Sequence, residues 1–148
     1  MRCRELMTKN VTVCGEADTA EWCAQLMRDR KVGFVPVVDA DGRVSGLVTD
    51  RDLALRVVAE GRASVTPLSA IMTRDVRICR PEDDLQMAED RMAALRKSRL
   101  VVVDDFGRCL GVISLADVAQ ADSRSHAGEV LYAVTQREAK SAVRPAAA

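Results

Sequence analysis

Aromatic side chains and histidine are scarce in this chain. Its 148 residues include one Trp, one Tyr, two Phe and one His. Proteins that bind single-stranded nucleic acid stack the bases on aromatic rings, so the scarcity argues against a platform of that kind. Basic and acidic side chains number 22 each, so no overall field draws the chain to nucleic acid or to an anionic membrane. We therefore expect neither nucleic acid nor a membrane among its partners.

Long apolar runs and paired cysteine motifs are missing as well. No run approaches the roughly 18 residues of a membrane-spanning helix, and the N-terminal MRCRELMTKN lacks the apolar core of a secretory signal. The five cysteines form an odd set without a C-x-x-C pair, which argues against a disulfide framework and against a zinc site. We expect a cytoplasmic protein with reduced thiols and no metal site.

Motifs of catalysis are equally absent. The single histidine, His126, stands in a polar segment, and a lone surface histidine is more often solvated than catalytic. The sequence has no nucleophile elbow, no glycine-rich phosphate loop and no HExxH. We expect no enzyme and assign no catalytic residue.

What the chain does contain is an internal repeat with an offset of 65 residues. LMTKNVTVC aligns with IMTRDVRIC, and PVVDADGRVSGLVTDRD aligns with VVVDDFGRCLGVISLAD, without a gap. Such self-similarity indicates two copies of one supersecondary unit. We place the first repeat at residues 1–62 and the second at 63–122, which leaves 123–148 for a C-terminal helix and a frayed tail.

Each repeat begins with a β-α pattern. Apolar runs at residues 11–13 and 76–78 predict opening strands. An acidic residue followed three positions later by Glu or Gln then predicts a helix N-cap, and Gly33 is expected to close the first helix. These acidic caps and their partners are Asp18 with Glu21, and Asp83 with Gln86.

A β-β-α pattern completes each repeat. FVPVVD and RLVVVD are near-continuous apolar runs, typical of strands covered on both faces. DADGR and DDFGR predict hairpin turns into the third strands, VSGLVT and CLGVIS. The final helices are expected to begin near Asp50 and Leu115. The order β-α-β-β-α therefore occurs twice.

The repeated stretch GLVTDRD, matched by GVISLAD, has two interpretations. The first is local: Thr49 or Ser114 caps the final helix, while Asp52 or Asp117 completes the capping box. The second adds a ligand. A helix start offers free N–H groups to a phosphate, the hydroxyl can donate to it, Arg51 adds positive charge, and the aspartate can accept from a ribose diol. The two interpretations are compatible, and both stay open at this point.

The doubled pattern resembles a pair of CBS (cystathionine β-synthase) domains, a Bateman module, over about residues 5–122. The resemblance implies an α/β fold, more narrowly α+β, in which two β-α-β-β-α repeats pack with pseudo-two-fold symmetry beside an added C-terminal helix. It also implies a homodimer that binds adenosine-containing ligands in clefts between the repeats. AMP, ADP or ATP are the first candidates, ahead of NADH and S-adenosylmethionine.

The resemblance also implies the site residues. In the first repeat the hydroxyl and ribose positions fall on Thr49 and Asp52, and the base-facing residues are Val11, Thr12, Val35, Pro36 and Val37. In the second repeat the hydroxyl and ribose positions fall on Ser114 and Asp117. There the pattern departs: Val101 replaces Pro36, Arg99 replaces Phe34, and Leu115 and Ala116 replace Asp50 and Arg51. Arg99 could still reach an anion, but we expect the first site to be the better one.

The function that follows is regulatory. We expect a CBS pair that binds an adenine nucleotide and signals to an unidentified effector protein. The alternative is a CBS pair that binds no nucleotide and acts by docking a partner protein alone.

Overall fold

The computed structural model describes residues 1–121 and 124–142. Its two three-stranded sheets, ordered β1-β2-β3 and β4-β5-β6, and its six α-helices over those residues confirm the predicted α+β class. The strands are β1 Cys14–Gly15, β2 Phe34–Val38, β3 Val44–Thr49, β4 Ile78–Cys79, β5 Arg99–Val103 and β6 Cys109–Ser114. The α-helices are α1 Cys3–Leu6, α2 Ala20–Arg30, α3 Asp50–Leu53, α4 Leu85–Leu95, α5 Leu115–Ala121 and α6 Arg124–Ala142; α3 continues as a π-helix, Ala54–Val58, and a 3₁₀ helix spans Leu68–Ala70. Within those two ranges, none of the helices combines the length and the apolar character needed to cross a membrane.

The chain forms two compact units that do not follow its linear order. The first-repeat unit consists of Lys9–Arg77 with Val103–Gly111. The second-repeat unit consists of Met1–Thr8, Ile78–Val102 and the described residues from Val112 onward. Residues 1–8 open the first repeat but belong to the second-repeat unit, and residues 63–77 open the second repeat but belong to the first-repeat unit. We call these two opening segments the exchanged segments.

Backbone hydrogen bonds fasten each exchanged segment. In the second-repeat unit, Thr8 and Val112 exchange N–H···O bonds of 2.9 and 3.1 Å. In the first-repeat unit, Leu47 and Thr73 exchange two bonds of 2.9 Å. The two pairs occupy equivalent positions in the repeat. In each unit, the exchanged segment therefore pairs with the last strand of that unit, β3 or β6.

Each unit has its own apolar core. The apolar positions spaced along one face of α2 and α4 are buried, apart from Leu95, which is half-buried. The core of the first-repeat unit combines sheet, helix and exchanged segment: Cys14, Ala20, Cys23, Met27, Val35, Val37, Val48, Val57, Leu68, Ile71 and Met72. In the second-repeat unit α6 adds apolar side chains, and the core is Cys3, Cys79, Ala88, Met92, Leu100, Val102, Ile113, Val118, Val130 and Val134. The tail that we expected to fray, residues 143–148, lies outside the described residues, as does Asp122.

The predicted N-caps of the first helix in each repeat are wrong by one residue. Thr19 caps α2 by accepting from the N–H of Trp22, and Asp84 caps α4 by accepting from Gln86. Asp18 instead accepts from the N–H of Gly15 at 2.7 Å. In the second repeat, Asp83 likewise accepts from Arg80 at 2.9 Å. The carboxylate that precedes each cap thus closes the turn after the opening strand, which leaves the next residue to cap the helix.

The predicted end of α2 at Gly33 is also wrong. Lys31 closes the helix in the left-handed conformation, with φ of 55°, and Arg96 closes α4 with φ of 52°. Gly33 meets a different requirement. A Cβ placed on it would lie 2.7 Å from Oδ2 of Asp50, so the glycine leaves room for the start of α3.

The opening strands are shorter than predicted and begin later. Residues 11–13 are not in a strand; β1 begins at Cys14, where the chain runs parallel to β2 with Cys14 opposite Val37. Residues 76–78 overlap with β4 only at Ile78. β-Branched residues favour strands only where a partner strand is within reach, and that partner is a tertiary feature. By contrast, β3, β6 and the starts of α3 and α5 lie at their predicted positions.

Candidate functional site

The start of α3 is held by a reciprocal cap between Thr49 and Asp52. The N–H of Asp52 donates to Oγ1 of Thr49 at 3.1 Å, and the N–H of Thr49 donates to Oδ2 of Asp52 at 2.9 Å. Two N–H groups at the helix start are thereby satisfied within the chain. The local interpretation of the repeated motif therefore holds in the first repeat.

The two hydroxyls of the motif are used differently. Thr49 Oγ1 accepts one hydrogen bond, and no residue in the described ranges accepts its proton. Ser114 Oγ accepts from the N–H of Asp117 at 3.2 Å but also donates to Oδ2 of Asp117 at 2.6 Å. The Thr49 hydroxyl can therefore donate to a ligand without breaking a protein bond, whereas the Ser114 hydroxyl would first have to leave Asp117.

The Asp52 carboxylate lies in a small polar network. Its side chain is 13% exposed. Oδ2 lies 3.5 Å from the hydroxyl of Thr73, at the long limit of a hydrogen bond. Oδ1 lies 3.6 Å from Nε of Arg56, and Nη1 of Arg56 donates to the carbonyl oxygen of Ile71 at 2.9 Å. The network thus links the start of α3 to the exchanged opening segment of the second repeat.

The first residues of β2 lie beside this helix start. Phe34 is opposite Thr49 in the antiparallel pair of β2 with β3. The side chains of Val35 and Val37 are 0% exposed and belong to the core, so only their main chain can face a ligand. Val11 and Thr12 are half-buried and lie three and two residues before β1, the parallel neighbour of β2.

Pro36 is accommodated in β2 without losing a ladder bond. It lies opposite Leu47, whose N–H and carbonyl point away from β2 toward Thr73. Pairs of this kind do not bond to each other, so the nitrogen of Pro36 faces the β1 side. There β1 pairs only with Val37 and Val38. The proline therefore stands where a backbone N–H would have had no strand partner.

The second-repeat positions lie in the other compact unit and differ in pairing. The structure assigns Val11, Thr12, Val35, Pro36, Val37, Thr49, Arg51 and Asp52 to the first-repeat unit, and Arg99, Val101, Ser114 and Asp117 to the second. Cys79 of β4 pairs with Val102 in the same register as Cys14 with Val37, but Ile78 also pairs with Val101, so the pairing begins one residue earlier than in the first repeat. The valine in place of proline thus lets β4 cover a stretch of β5 that β1 leaves uncovered in β2. Arg99 and Arg51 are both exposed.

Sequence reasoning missed Arg56 and Thr73 as parts of the Asp52 network. Arg56 had a local signal, because an acid and a base four residues apart on a helix can pair. Thr73 had none. It reaches Asp52 only because the opening segment of the second repeat belongs to the first-repeat unit.

The five cysteines are free, and four of them lie in the apolar cores. Cys3, Cys14, Cys23 and Cys79 are buried, and Cys109 is half-buried. A hydrogen bond shared with Cys23 raises the pKa of Cys14, and burial acts in the same direction. A similar hydrogen bond between Cys3 and Cys79 raises the pKa of Cys79. Over the described residues, no cluster of three or more His, Cys, Asp or Glu side chains could hold a metal ion.

Fold and site together define a tandem α+β module in which a hydroxyl residue and an aspartate cap the last helix of each repeat. The CBS domain family matches the chain twice, over residues 3–59 and 68–124. The chain therefore belongs to the CBS-domain family, as the repeated motif predicted. It is similar to the CBS domain-containing protein YhcV of Bacillus subtilis, with 33% identity over 135 residues that cover 90% of this chain and 95% of YhcV.

Solved structures of CBS proteins share the fold. The conserved CBS domain protein TA0289 of Thermoplasma acidophilum, of unknown function, has a TM-score of 0.78 at 22% identity, covering 90% of this chain and 75% of that one. The CBS domain pair of protein MJ0100, in complex with 5′-methylthioadenosine and S-adenosyl-L-methionine, has a TM-score of 0.73 at 21% identity, covering 81% of this chain and 94% of that one. At these identities the likeness is one of fold.

Proposed function

We propose that this CBS pair is a cytoplasmic regulatory module rather than an enzyme. It binds an adenine nucleotide such as AMP, ADP or ATP at the start of α3. It acts as a homodimer and signals to an effector protein whether the nucleotide is bound. One observation carries the proposal: Thr49 has a hydroxyl proton without an acceptor among the described residues, three positions before a carboxylate whose Oδ1 accepts no hydrogen bond from them. A donor for a phosphate oxygen thus lies beside an acceptor for a ribose diol.

The neighbouring residues fit the other parts of a nucleotide. Arg51 is exposed in the first turn of α3 and can add positive charge near a phosphate. Val11, Thr12 and the segment Val35, Pro36 and Val37 are the residues assigned to the base, and among those three Pro36 turns its main-chain carbonyl away from β3. The MJ0100 structure supports the ligand class, because both of its bound compounds contain adenosine.

The second-repeat site is proposed to bind more weakly. Ser114 already donates to Asp117, and Ala116 replaces the cation of Arg51. β4 also pairs with Val101 at the position where Pro36 leaves the first site uncovered. Arg99 remains as the cation that could attract an anion there.

Thermal and chemical denaturation with a panel of ligands tests the proposal. AMP, ADP, ATP, NADH and S-adenosylmethionine are added to the wild type and to Asp52→Ala, Thr49→Ala and Asp117→Ala. A ligand at about 100 times its dissociation constant should add about 2.7 kcal/mol to the free energy of unfolding of the wild type. Asp52→Ala and Thr49→Ala should lose this gain relative to their own ligand-free stability, and Asp117→Ala should keep most of it.

The alternative function, partner docking without a nucleotide, is favoured by the complete cap at Thr49 and Asp52, which needs no ligand. It predicts no stabilisation by any compound of the panel. A gain that is identical in Asp52→Ala and in the wild type would place the ligand elsewhere and contradict the proposed site.

A further inference from the structure

Arg56 makes two contacts that its repeat equivalent cannot make. Its Nε lies 3.6 Å from Oδ1 of Asp52, and its Nη1 donates to the carbonyl oxygen of Ile71 at 2.9 Å. Ile71 is 1% exposed and belongs to the exchanged segment in the core of the first-repeat unit. The equivalent position in the second repeat is Ala121. Among the described residues, only the first site therefore has a guanidinium that bridges its carboxylate to a buried backbone carbonyl.

The contacts of Asp52 leave one carboxylate oxygen without a hydrogen bond from the described residues. Oδ2 accepts from the N–H of Thr49 at 2.9 Å and lies 3.5 Å from the Thr73 hydroxyl. Oδ1 has only the Arg56 guanidinium beside it, at a distance that is an ion pair rather than a hydrogen bond. A carboxylate oxygen can accept two hydrogen bonds, so Oδ1 can receive the hydroxyls of a diol while Arg56 stays in place.

Orientation is the contribution that Arg56 can make. Its side chain is 46% exposed, and ion pairs at that exposure add little to stability. The planar guanidinium, however, binds two partners in a fixed geometry, and here one of them is a buried backbone carbonyl. In the second repeat, both bonds to Asp117 reach Oδ2 and come from Ser114, at 2.7 Å from the N–H and 2.6 Å from the hydroxyl. No second element orients that carboxylate among the described residues.

We infer that Arg56 is a positioning residue, which holds the Asp52 carboxylate in the orientation required by a ribose diol and ties that orientation to the docked residues 71–73. This inference rests on the proposed function of the same site. Arg56 need not touch the ligand. It acts through Asp52 and sets how well the first site distinguishes a ribose from a deoxyribose.

Calorimetric titration with AMP and with 2′-deoxy-AMP tests the inference. The wild type should prefer AMP by about tenfold or more, because a diol hydroxyl bound to a carboxylate is a charge-assisted hydrogen bond. Arg56→Met should reduce this preference to about twofold or less, since the carboxylate can then rotate away from the diol. Arg62→Met is the matched control: it removes an exposed arginine of the same segment, so it should keep the preference of the wild type.

Two further variants keep the test independent of any folding defect in Arg56→Met. Arg56→Lys retains the charge but cannot hold Asp52 and Ile71 with one planar group, so it should bind AMP and still lose most of the preference. Thr73→Val removes the hydroxyl near Oδ2 and leaves the backbone pairing with Leu47 intact, so it should lower the preference partially.

The outcomes separate this inference from the proposed function. If Asp52→Ala loses the preference for AMP while Arg56→Met keeps it, the inference is wrong and the proposed site stands. Full recovery of the preference in Arg56→Lys would show that charge alone suffices, which also overturns the positioning role. A wild type that binds neither compound would overturn both.

Discussion

Leu47 and Thr73 exchange two backbone hydrogen bonds of 2.9 Å, which fasten the exchanged segment of the second repeat to β3. The residue before Leu47 is Gly46, and the equivalent residue in the second copy of the motif is Gly111. A Cβ placed on Gly46 would lie 2.6 Å from Sδ of Met72 and 3.1 Å from the carbonyl oxygen of Thr73. Gly46 is therefore required for the close approach of another segment and not for a turn.

Replacing Gly46 by alanine should destabilise the protein. The added methyl group must displace Met72, which is buried, or push Thr73 away from β3. Overpacking of this kind costs about 1–3 kcal/mol, measured as the loss in free energy of unfolding in urea. Unchanged stability of Gly46→Ala would show that the segment docks more loosely than the structure indicates.

Gly128→Ala is the control for that substitution and should have the opposite sign. Gly128 is exposed within α6, and a Cβ on it would meet nothing within 4 Å. Alanine favours a helix interior over glycine by about 0.5–1 kcal/mol, so the free energy of unfolding should rise.

Glycine should stabilise the ends of α2 and α4. Lys31 and Arg96 close these helices at φ of 55° and 52°, a conformation that costs a side-chain-bearing residue energy. Lys31→Gly and Arg96→Gly should each raise the free energy of unfolding by about 0.5–1 kcal/mol, after the greater freedom of glycine in the unfolded chain is counted. Alanine at the same positions keeps the strain and serves as the control. A fall in stability of both glycine variants would contradict the left-handed caps.

Removing the reciprocal cap at the start of α3 should lower the free energy of unfolding of the ligand-free protein. Thr49→Ala removes the acceptor for the N–H of Asp52 and should cost about 1 kcal/mol in denaturant unfolding. Ser114→Ala should cost a similar amount, because Ser114 accepts from the N–H of Asp117 in the same way. Thr49→Ser keeps the hydroxyl and should stay close to the wild type. A neutral Thr49→Ala would mean that water satisfies that N–H equally well.

Thiol labelling should distinguish Cys109 from the other cysteines. Cys3, Cys14, Cys23 and Cys79 are buried, whereas Cys109 is half-buried. Iodoacetamide under native conditions should therefore modify Cys109 first, and slowly, because burial also raises the pKa of its thiol. Peptide mass spectrometry identifies the labelled residue, and Cys109→Ala should remove the first label. Early labelling of Cys14 or Cys23 would indicate that the core of the first-repeat unit opens readily.

Local chemistry explains which elements were predictable. The hairpin glycines Gly42 and Gly107 adopt φ of 78° and 82°, and they fix where the strands of each hairpin begin and end. The motif around Thr49 and Asp52 fixes the start of α3 by bonds within four residues. Neighbouring residues can compete for such bonds: Asp18 accepts from Gly15 in the turn, and Thr19 accepts from Trp22 as the N-cap of α2.

The sequence by itself determined the repeat, the order of the main elements, the family and the starts of α3 and α5, because each of these depends on spacing or on bonds between near neighbours. Only the tertiary structure decided that the opening segments are exchanged, that Gly46 makes room for Met72, and that Arg56 joins Asp52 to Ile71. Contacts such as that of Thr8 with Val112 join backbone N–H and C=O groups, which every residue except proline carries. The pattern of side chains along the sequence therefore does not predict which distant strand a segment will pair with.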